Sequence, residues 1–214
     1  MPPKPAYHHG NLKPALIAAA LKEVAREGPD GFSLRGVARR AGVSAPAVYR
    51  HFQDKEDLLA AVAADASQRL NAQIAEAHAE APDHPLGKYR ATGIAIVRFA
   101  TAHPEHFRVL CIPGLTKKDD SYAEDRRQLV AAQQQGLITD APVDAVMLAA
   151  NAMVTGLAHM IVEGQLGAVD DARATELATA VTHILGVGLV PRAEDLDDAF
   201  TGMTVPGKKK RLRR

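Results

Sequence analysis

Cysteine is nearly missing from this 214-residue chain, and aromatic residues make up only 4% of it. With Cys111 alone, no intrachain disulfide can form, and a reducing compartment such as the cytoplasm is the natural expectation. So few aromatics beside 47% apolar residues rich in Ala favour helix over sheet. The opening MPPKPAYHHGNL has no apolar core of the kind a secretory signal needs. Residues 145–162, AVMLAANAMVTGLAHMIV, hold 18 positions without Asp, Glu, Lys or Arg, barely enough for a membrane span. Ala is weakly apolar, and Asn151, Thr155 and His159 recur at i, i+4, i+8 along one side. A buried helix at a subunit interface is therefore expected, and no membrane partner.

Catalytic signatures are lacking as well. The chain has no phosphate-binding glycine loop, no nucleophile elbow and no cluster at metal-ligand spacing. Cys111 near His103 and His106 imitates a Cys/His pair, but one Cys beside two His in a short span is weak ground for catalysis. His8 and His9 have no further ligand at helical or finger spacing. The expectation is no catalytic residue, no metal and no cofactor. No repeat of 20–50 residues is seen.

What the chain does have is an uneven charge. The formal net charge is +1, yet residues 1–53 carry eight Lys/Arg against three Asp/Glu, and KKKRLRR at 208–214 carries six more basic residues. Taking that +5 and +6 from the total leaves −10 for residues 54–207. A basic head and tail on an acidic body suits a protein that meets phosphate with its ends.

The most informative stretch is SLRGVARRAGVSAPAVYRHFQDKEDL, residues 33–58. Ser33 is a good helix N-cap. Leu34, Val37, Ala38 and Ala41 recur at i, i+3, i+4, i+7, which is one apolar helical face, and Arg35, Arg39 and Arg40 fall off it. Gly42 stands where a helix ends in a left-handed residue. Ser44 recaps the chain and Pro46 fits an early helical turn. Two short helices joined by a Gly-containing turn describe a helix-turn-helix. In the second helix, Val43, Val48 and Phe52 can point inward, leaving Ser44, Ala45, Ala47, Tyr49, Arg50 and His51 outward or on the rim. Such a face suits a major groove, where Arg reads guanine edges and Tyr, Ser and His reach phosphates or thymine methyls. Asp54 caps the next helix. Lys55 in its first turn runs against the helix dipole, so it is expected to serve an external anion.

The run GFSLRGVARRAGVSAPAVYRHFQDKEDLLAAV resembles the DNA-binding region of the TetR (tetracycline-repressor-like) family of transcriptional regulators. The resemblance covers roughly residues 8–60 and rests on Tyr49, His51, Phe52, Lys55, Leu58 and Leu59 at matching spacing. YHHGNL resembles one branch of that family, whose C-terminal domain carries a Trp…His-Gly motif; in NAMVTGLA, residues 151–158, Gly156 is kept, while Asn151 and Thr155 stand where that branch has Trp and His. The resemblance implies an all-α homodimer that binds a double-stranded, palindromic DNA operator, with a ligand pocket in each C-terminal domain. On this reading Arg35 and Arg50 approach base edges. Ser33, Tyr49, His51 and Lys55 hold phosphates, and Ser44, Ala45, Pro46 and Ala47 belong to the recognition surface.

The rest of the chain divides by its breaks. Residues 1–10 read as a disordered arm, with Lys4, His8 and His9 placed to touch a minor groove. Residues 11–58 form the helix-turn-helix domain, whose first helix is capped by Asn11 and runs to Glu27–Gly28. A long helix from Asp54 to about Glu80 links head to body. APDHP at 81–85 is a break, followed by helices at about 86–103, 104–112, 121–135, 140–167 and 170–188. Residues 59–190 form a ligand-binding and dimerisation domain, and 191–214 a disordered basic tail. The last two helices, rich in Ala, Gly, Thr and Val, allow the close approach that suits pairing with a copy of themselves. Phe99, His103, Phe107, Cys111, Met147, Asn151, Thr155 and His159 are aromatic, soft or polar residues in otherwise Ala/Val/Leu helices. Polar groups on apolar faces are costly unless paired, so these eight are the candidate pocket for a small apolar or amphipathic ligand. The expected function is a repressor released by that ligand; the alternative is an architectural DNA-binding dimer that senses nothing, which a dry, filled body would favour.

Overall fold

The structure is a computed structural model that describes residues 12–115 and 120–189. The expected N-terminal arm, the Asn11 cap and the C-terminal basic tail lie outside the described residues. All regular structure among the described residues is helical, in the order α1 (Leu12–Gly31), α2 (Leu34–Ala41), α3 (Ala45–Tyr49), α4 (Lys55–Glu80), α5 (Pro85–Ala102), α6 (Pro104–Leu110), α7 (Asp120–Gln134), α8 (Val143–Val162) and α9 (Asp171–Leu189).

Each boundary has a local cause. Gly28 leaves helical space at φ 75°, so regular α1 ends there and Pro29–Gly31 forms a separate turn. Ser33 Oγ accepts from Gly36 N at 3.1 Å and caps α2. Gly42, at φ 69°, closes α2 by returning its N–H to the carbonyls of Ala38 and Arg39. Asp54 accepts from Asp57 N at 2.7 Å and starts α4. Pro85 and Pro104 sit at first helical turns, where a missing N–H is harmless. Helix α8 is shorter than its sequence pattern suggests: Glu163 ends it, and Gly164 at φ 71° turns the chain away before Gly167.

Two packed regions result. In the head, Leu16, Ala20, Val24, Phe32, Val37, Val48, Phe52, Leu58 and Val62 form one core from α1 to α4. Val109 of α6 belongs to this same core, so the head is not closed without a residue of the body. In the body, α5 runs centrally and packs on α4, α7, α8 and α9. Gly93 makes its closest crossing: a Cβ there would lie 3.2 Å from methyl groups of both Thr182 and Val154. A bidentate pair from Arg98 to Asp171 (2.9 and 3.0 Å) joins α5 to the start of α9.

Helix α8 is long and apolar enough to cross a membrane by length and composition. Here it lies against α5, α7 and α9, burying Val146, Met147, Ala150, Val154, Leu157, Ala158 and Ile161. Its other side is open, with Leu148 67% exposed, and α9 also carries an exposed apolar residue, Ile184 at 65%.

Candidate nucleic-acid interface and ligand cavity

The geometry of the head follows from its apolar anchors. Val48 and Phe52 are sunk in the core at either side of the end of α3, which turns the opposite face of that short helix outward. Ser44, Pro46, Tyr49, Arg50 and His51 are exposed, and Ala45 and Ala47 are half-buried. Tyr49 is 55% exposed, an unusual position for an aromatic ring with no partner to cover it. Arg35 is exposed on the first turn of α2, one residue from the Ser33–Gly36 cap. Ser33, Arg35, Ser44, Pro46, Tyr49, Arg50 and His51 of the expected set are thus all exposed, and Ala45, Ala47 and Lys55 are half-buried. Ser44 departs in one detail: its side chain makes no capping bond, and α3 begins without one.

Lys55 also differs from expectation. Its ammonium donates to the Asp30 carbonyl at 2.8 Å and lies 4.9 Å from the centre of the Phe32 ring. The lysine that opens α4 against the dipole therefore has an internal acceptor, and its first task is to fasten α4 to the turn after α1. Two of its three protons remain for an anion.

Only part of the expected pocket set lines a cavity. A space of about 370 Å³ opens among α4 to α9, walled by Leu70, Ile74, Leu86, Ile96, Leu110, Ile138, Met147, Val154, Leu185 and Leu189. Its polar positions are Ser67, Asn71, Tyr89, Arg90, Thr92, Asp125, Asn151 and Thr182. Met147 and Asn151 are in this wall, as expected; Phe99, His103, Phe107, Cys111, Thr155 and His159 are not.

Those six have other work. The Phe99 ring lies 5.1 Å from His103 and 6.2 Å from His106, and Phe107 meets His159 edge-on at 5.0 Å. These contacts fill the seam where α5, α6 and α8 meet, with Ala100 and Ala158 at its centre. Cys111 is half-buried there, and burial pushes its thiol pKa up. Thr155 bonds Asn151 Oδ1 at 3.2 Å, and His159 Nδ1 faces the Thr155 carbonyl at 3.1 Å. The polar stripe on α8 is satisfied by its own helix, the ordinary outlet for such groups.

Most of the cavity residues that sequence reasoning missed sit on α4, α5 and α9, with Leu110, Asp125, Ile138, Ala150 and Val154 besides. Ser67, Leu70, Asn71 and Ile74 follow i, i+3, i+4, i+7, as do Leu86, Tyr89, Arg90 and Gly93. Stripes mixing polar and apolar residues at helical period are the signal that was available, together with the lone Gly93 inside a helix.

Between cavity and head stands α6. Leu110 lines the cavity while its neighbour Val109 enters the head core. Arg108 reaches the far end of α8, donating to Val162 O and to Glu163, each at 3.1 Å. His106 Nε2 lies 3.6 Å from Asp65 on α4, which in turn holds Arg69 at 2.8 Å. Burial and the nearby Arg69 charge push the His106 pKa down.

Comparison with known proteins bears directly on both halves. Residues 16–62 match the family described as "Bacterial regulatory proteins, tetR family", and residues 89–184 match "Tetracyclin repressor-like, C-terminal domain". The chain belongs to the tetR family. A protein of unknown function from Rhodococcus sp. RHA1 is 31% identical over 88% of this chain and all of its own, with a TM-score of 0.66. A TetR family transcription regulator from Marinobacter aquaeolei VT8 shares the fold at a TM-score of 0.68 and 18% identity, over 84% of this chain and 96% of its own. A TetR family regulator from Thermus thermophilus does so at 0.63 and 21%, over 83% and 96%. No match was found among curated proteins. As a tetR-family member the chain is a DNA-binding transcriptional regulator, and its all-α, two-part architecture is that of the family.

Proposed function

We propose that this regulator is a homodimeric repressor, working in the cytoplasm, that lets go of a palindromic operator when an apolar or amphipathic molecule fills the cavity. Residues 11–58 serve as the DNA-binding domain and 59–190 as the ligand-binding and dimerisation domain. Arg50 and Arg35 approach base edges; Ser33, Tyr49, His51 and Lys55 hold phosphates; Ser44, Ala45, Pro46 and Ala47 complete the groove-facing surface. The observation that carries the ligand reading is the cavity itself. Its volume of about 370 Å³ is within the range of small-molecule sites, and its wall is largely apolar with a few polar groups. The alternative, a dimer that senses nothing, goes with a filled body instead.

The release follows from what borders the cavity. Helix α4 supplies Ser67, Leu70, Asn71 and Ile74 to the wall and Leu58 and Val62 to the head core, while α6 supplies Leu110 to one and Val109 to the other. A molecule that shifts either helix moves the head. It weakens DNA binding only as far as it prefers the released arrangement, and a tenfold loss of operator affinity needs about 1.4 kcal/mol of such preference.

The test begins with an operator enriched from a randomised duplex library by the full-length protein. A compound library is then screened for molecules that raise the melting temperature, and each hit is tried for release of that operator. Hits that release DNA from the wild type but not from an Ile74→Trp protein, whose cavity is filled, support the reading. Release that persists in the filled variant overturns it.

A further inference from the structure

Glu23, on α1, is an acidic residue buried in a head whose surface is basic. It lies one side chain below the surface: Arg40 Nε donates to it at 2.6 Å, and Arg26 Nη2 lies 3.4 Å from both of its oxygens. On its other side is Gly36, the third residue of α2. A Cβ at Gly36 would stand 3.2 Å from Glu23 Oε2 and 3.3 Å from Ser33 Oγ. A capped helix often carries Glu or Gln at this third position, where a carboxylate favours the positive end of the helix. Here that position is empty of side chain, and the carboxylate arrives from another helix. Gly36 and Arg40 are four residues apart, one turn along the face of α2 that meets α1. Two residues beyond Arg40 the chain turns at Gly42 toward α3.

We propose that Glu23 is a positioning residue for DNA recognition, holding α2 on α1 through Gly36 and Arg40 so that α3 is aimed, and keeping Arg40 away from DNA phosphates. Of the basic side chains on α2, Arg35 and Arg39 point outward with no ion pair among the described residues, whereas Arg40 is bound inward. Without the carboxylate, α2 gains freedom to rock on α1, and Arg40 becomes one more cation for the backbone. The two effects act oppositely on the two kinds of DNA binding. Specific affinity depends on aim and falls; nonspecific affinity depends on phosphate contacts and holds or rises.

The experiment compares full-length wild type, Glu23→Gln, Gly36→Ala and Arg40→Gln on the enriched operator and on a scrambled duplex, across a salt series. For Glu23→Gln the expected result is a loss of specific affinity of about tenfold, the size of one misread base pair. Its nonspecific affinity is expected to be unchanged or higher, with a salt slope steeper by about one. Gly36→Ala keeps the charge and only crowds it, so it should fold and lower the ratio of specific to nonspecific affinity in the same direction, by less. Arg40→Gln keeps a hydrogen-bond donor and drops the charge; its nonspecific salt slope should equal that of the wild type. Equal losses of specific and nonspecific binding in Glu23→Gln, or an unchanged ratio with a lower melting temperature, would make Glu23 a merely structural group. A slope flattened by about one in Arg40→Gln would place Arg40 on the phosphates and overturn the proposal, even if Glu23→Gln does not fold.

Discussion

Two residues just past α3 do different work although they are two positions apart. Phe52 is buried and holds the end of α3 in the head core, with the Lys13 ammonium 5.6 Å from its ring centre. Truncating it to Ala should cost about 3–5 kcal/mol, read as a lower melting temperature. Arg50 is exposed, and Arg50→Ala should leave the melting temperature alone while costing about 1–3 kcal/mol at a single operator base pair. If Arg50→Ala weakens every duplex equally, it holds a phosphate instead of a base. Glu23 adds a pH dependence. The Arg40 hydrogen bond, aided by the Arg26 charge and opposed by burial, holds its pKa below the usual 4.5. A carboxylate lowered on folding stabilises the native state fully above its unfolded pKa, and that contribution is lost as pH falls through the lower folded value. Glu23→Gln should therefore flatten the part of the acid-unfolding curve below about pH 4.5, while stability that still falls equally steeply there would assign the effect to other carboxylates. At this scale the caps at Ser33 and Asp54 and the buried faces of α2 and α3 were legible, because each is decided within four residues of sequence. Glu23, Lys55 and His159 were not: whether such a group bonds inward, outward or along its own helix depends on what the fold brings beside it.

Among the elements, α5 sets how closely the body packs, and α6 shares with α4 the coupling of the body to the head. Gly93 lets α5 approach α8 and α9 with methyl groups 3.2 Å from where a Cβ would be. Gly93→Val should overpack that crossing and destabilise by about 1–3 kcal/mol, and it should also narrow the cavity that Gly93 lines. A calorimetric scan and a ligand titration check the two effects, and full stability with unchanged ligand affinity would show that the crossing yields easily. Helix α6 is held by Arg108 to the end of α8, in a pair exposed enough to contribute only about 0–1 kcal/mol. Arg108→Ala should thus barely move the melting temperature. It should, however, weaken the transfer of ligand binding to operator release, because α6 is freed at its body end. Ligand affinity that stays the same while release falls supports α6 as the connecting part; unchanged release leaves that role to α4 alone. Helix breaks were legible at Gly28, Pro85, Pro104 and Gly136, but not at Gly164, where the apolar pattern runs on to Gly167 although the helix stops. The cavity was not, because it belongs to no element: six helices contribute to it, and no local pattern says which stripe faces which.

At the scale of the whole molecule, α8 and α9 each carry apolar residues that the single chain does not cover. Leu148 and Met160 on α8 and Ile184 and Val187 on α9 are exposed together with Ala145, Ala149, Ala152 and Gly156. Exposed apolar side chains that gather on a surface mark a contact site, and small residues along a helix permit a second helix to come close. If α3, five residues long, is the helix that reads bases, it reads few base pairs, and the proposed dimer would present two heads spaced about 34–36 Å or a multiple to meet successive major-groove faces. Pairing α8 and α9 with their copies would set that spacing. Gly156 provides a clean test, since a Cβ there meets nothing within 4 Å inside the chain. Gly156→Arg should leave the helical content and the ligand cavity intact, yet split the dimer by placing a charge where two surfaces meet. Sedimentation velocity should then show a monomer, and affinity for the palindromic operator should fall much further than affinity for a half-site. A Gly156→Arg protein that sediments as a dimer and binds the full operator as the wild type does would move the interface off α8.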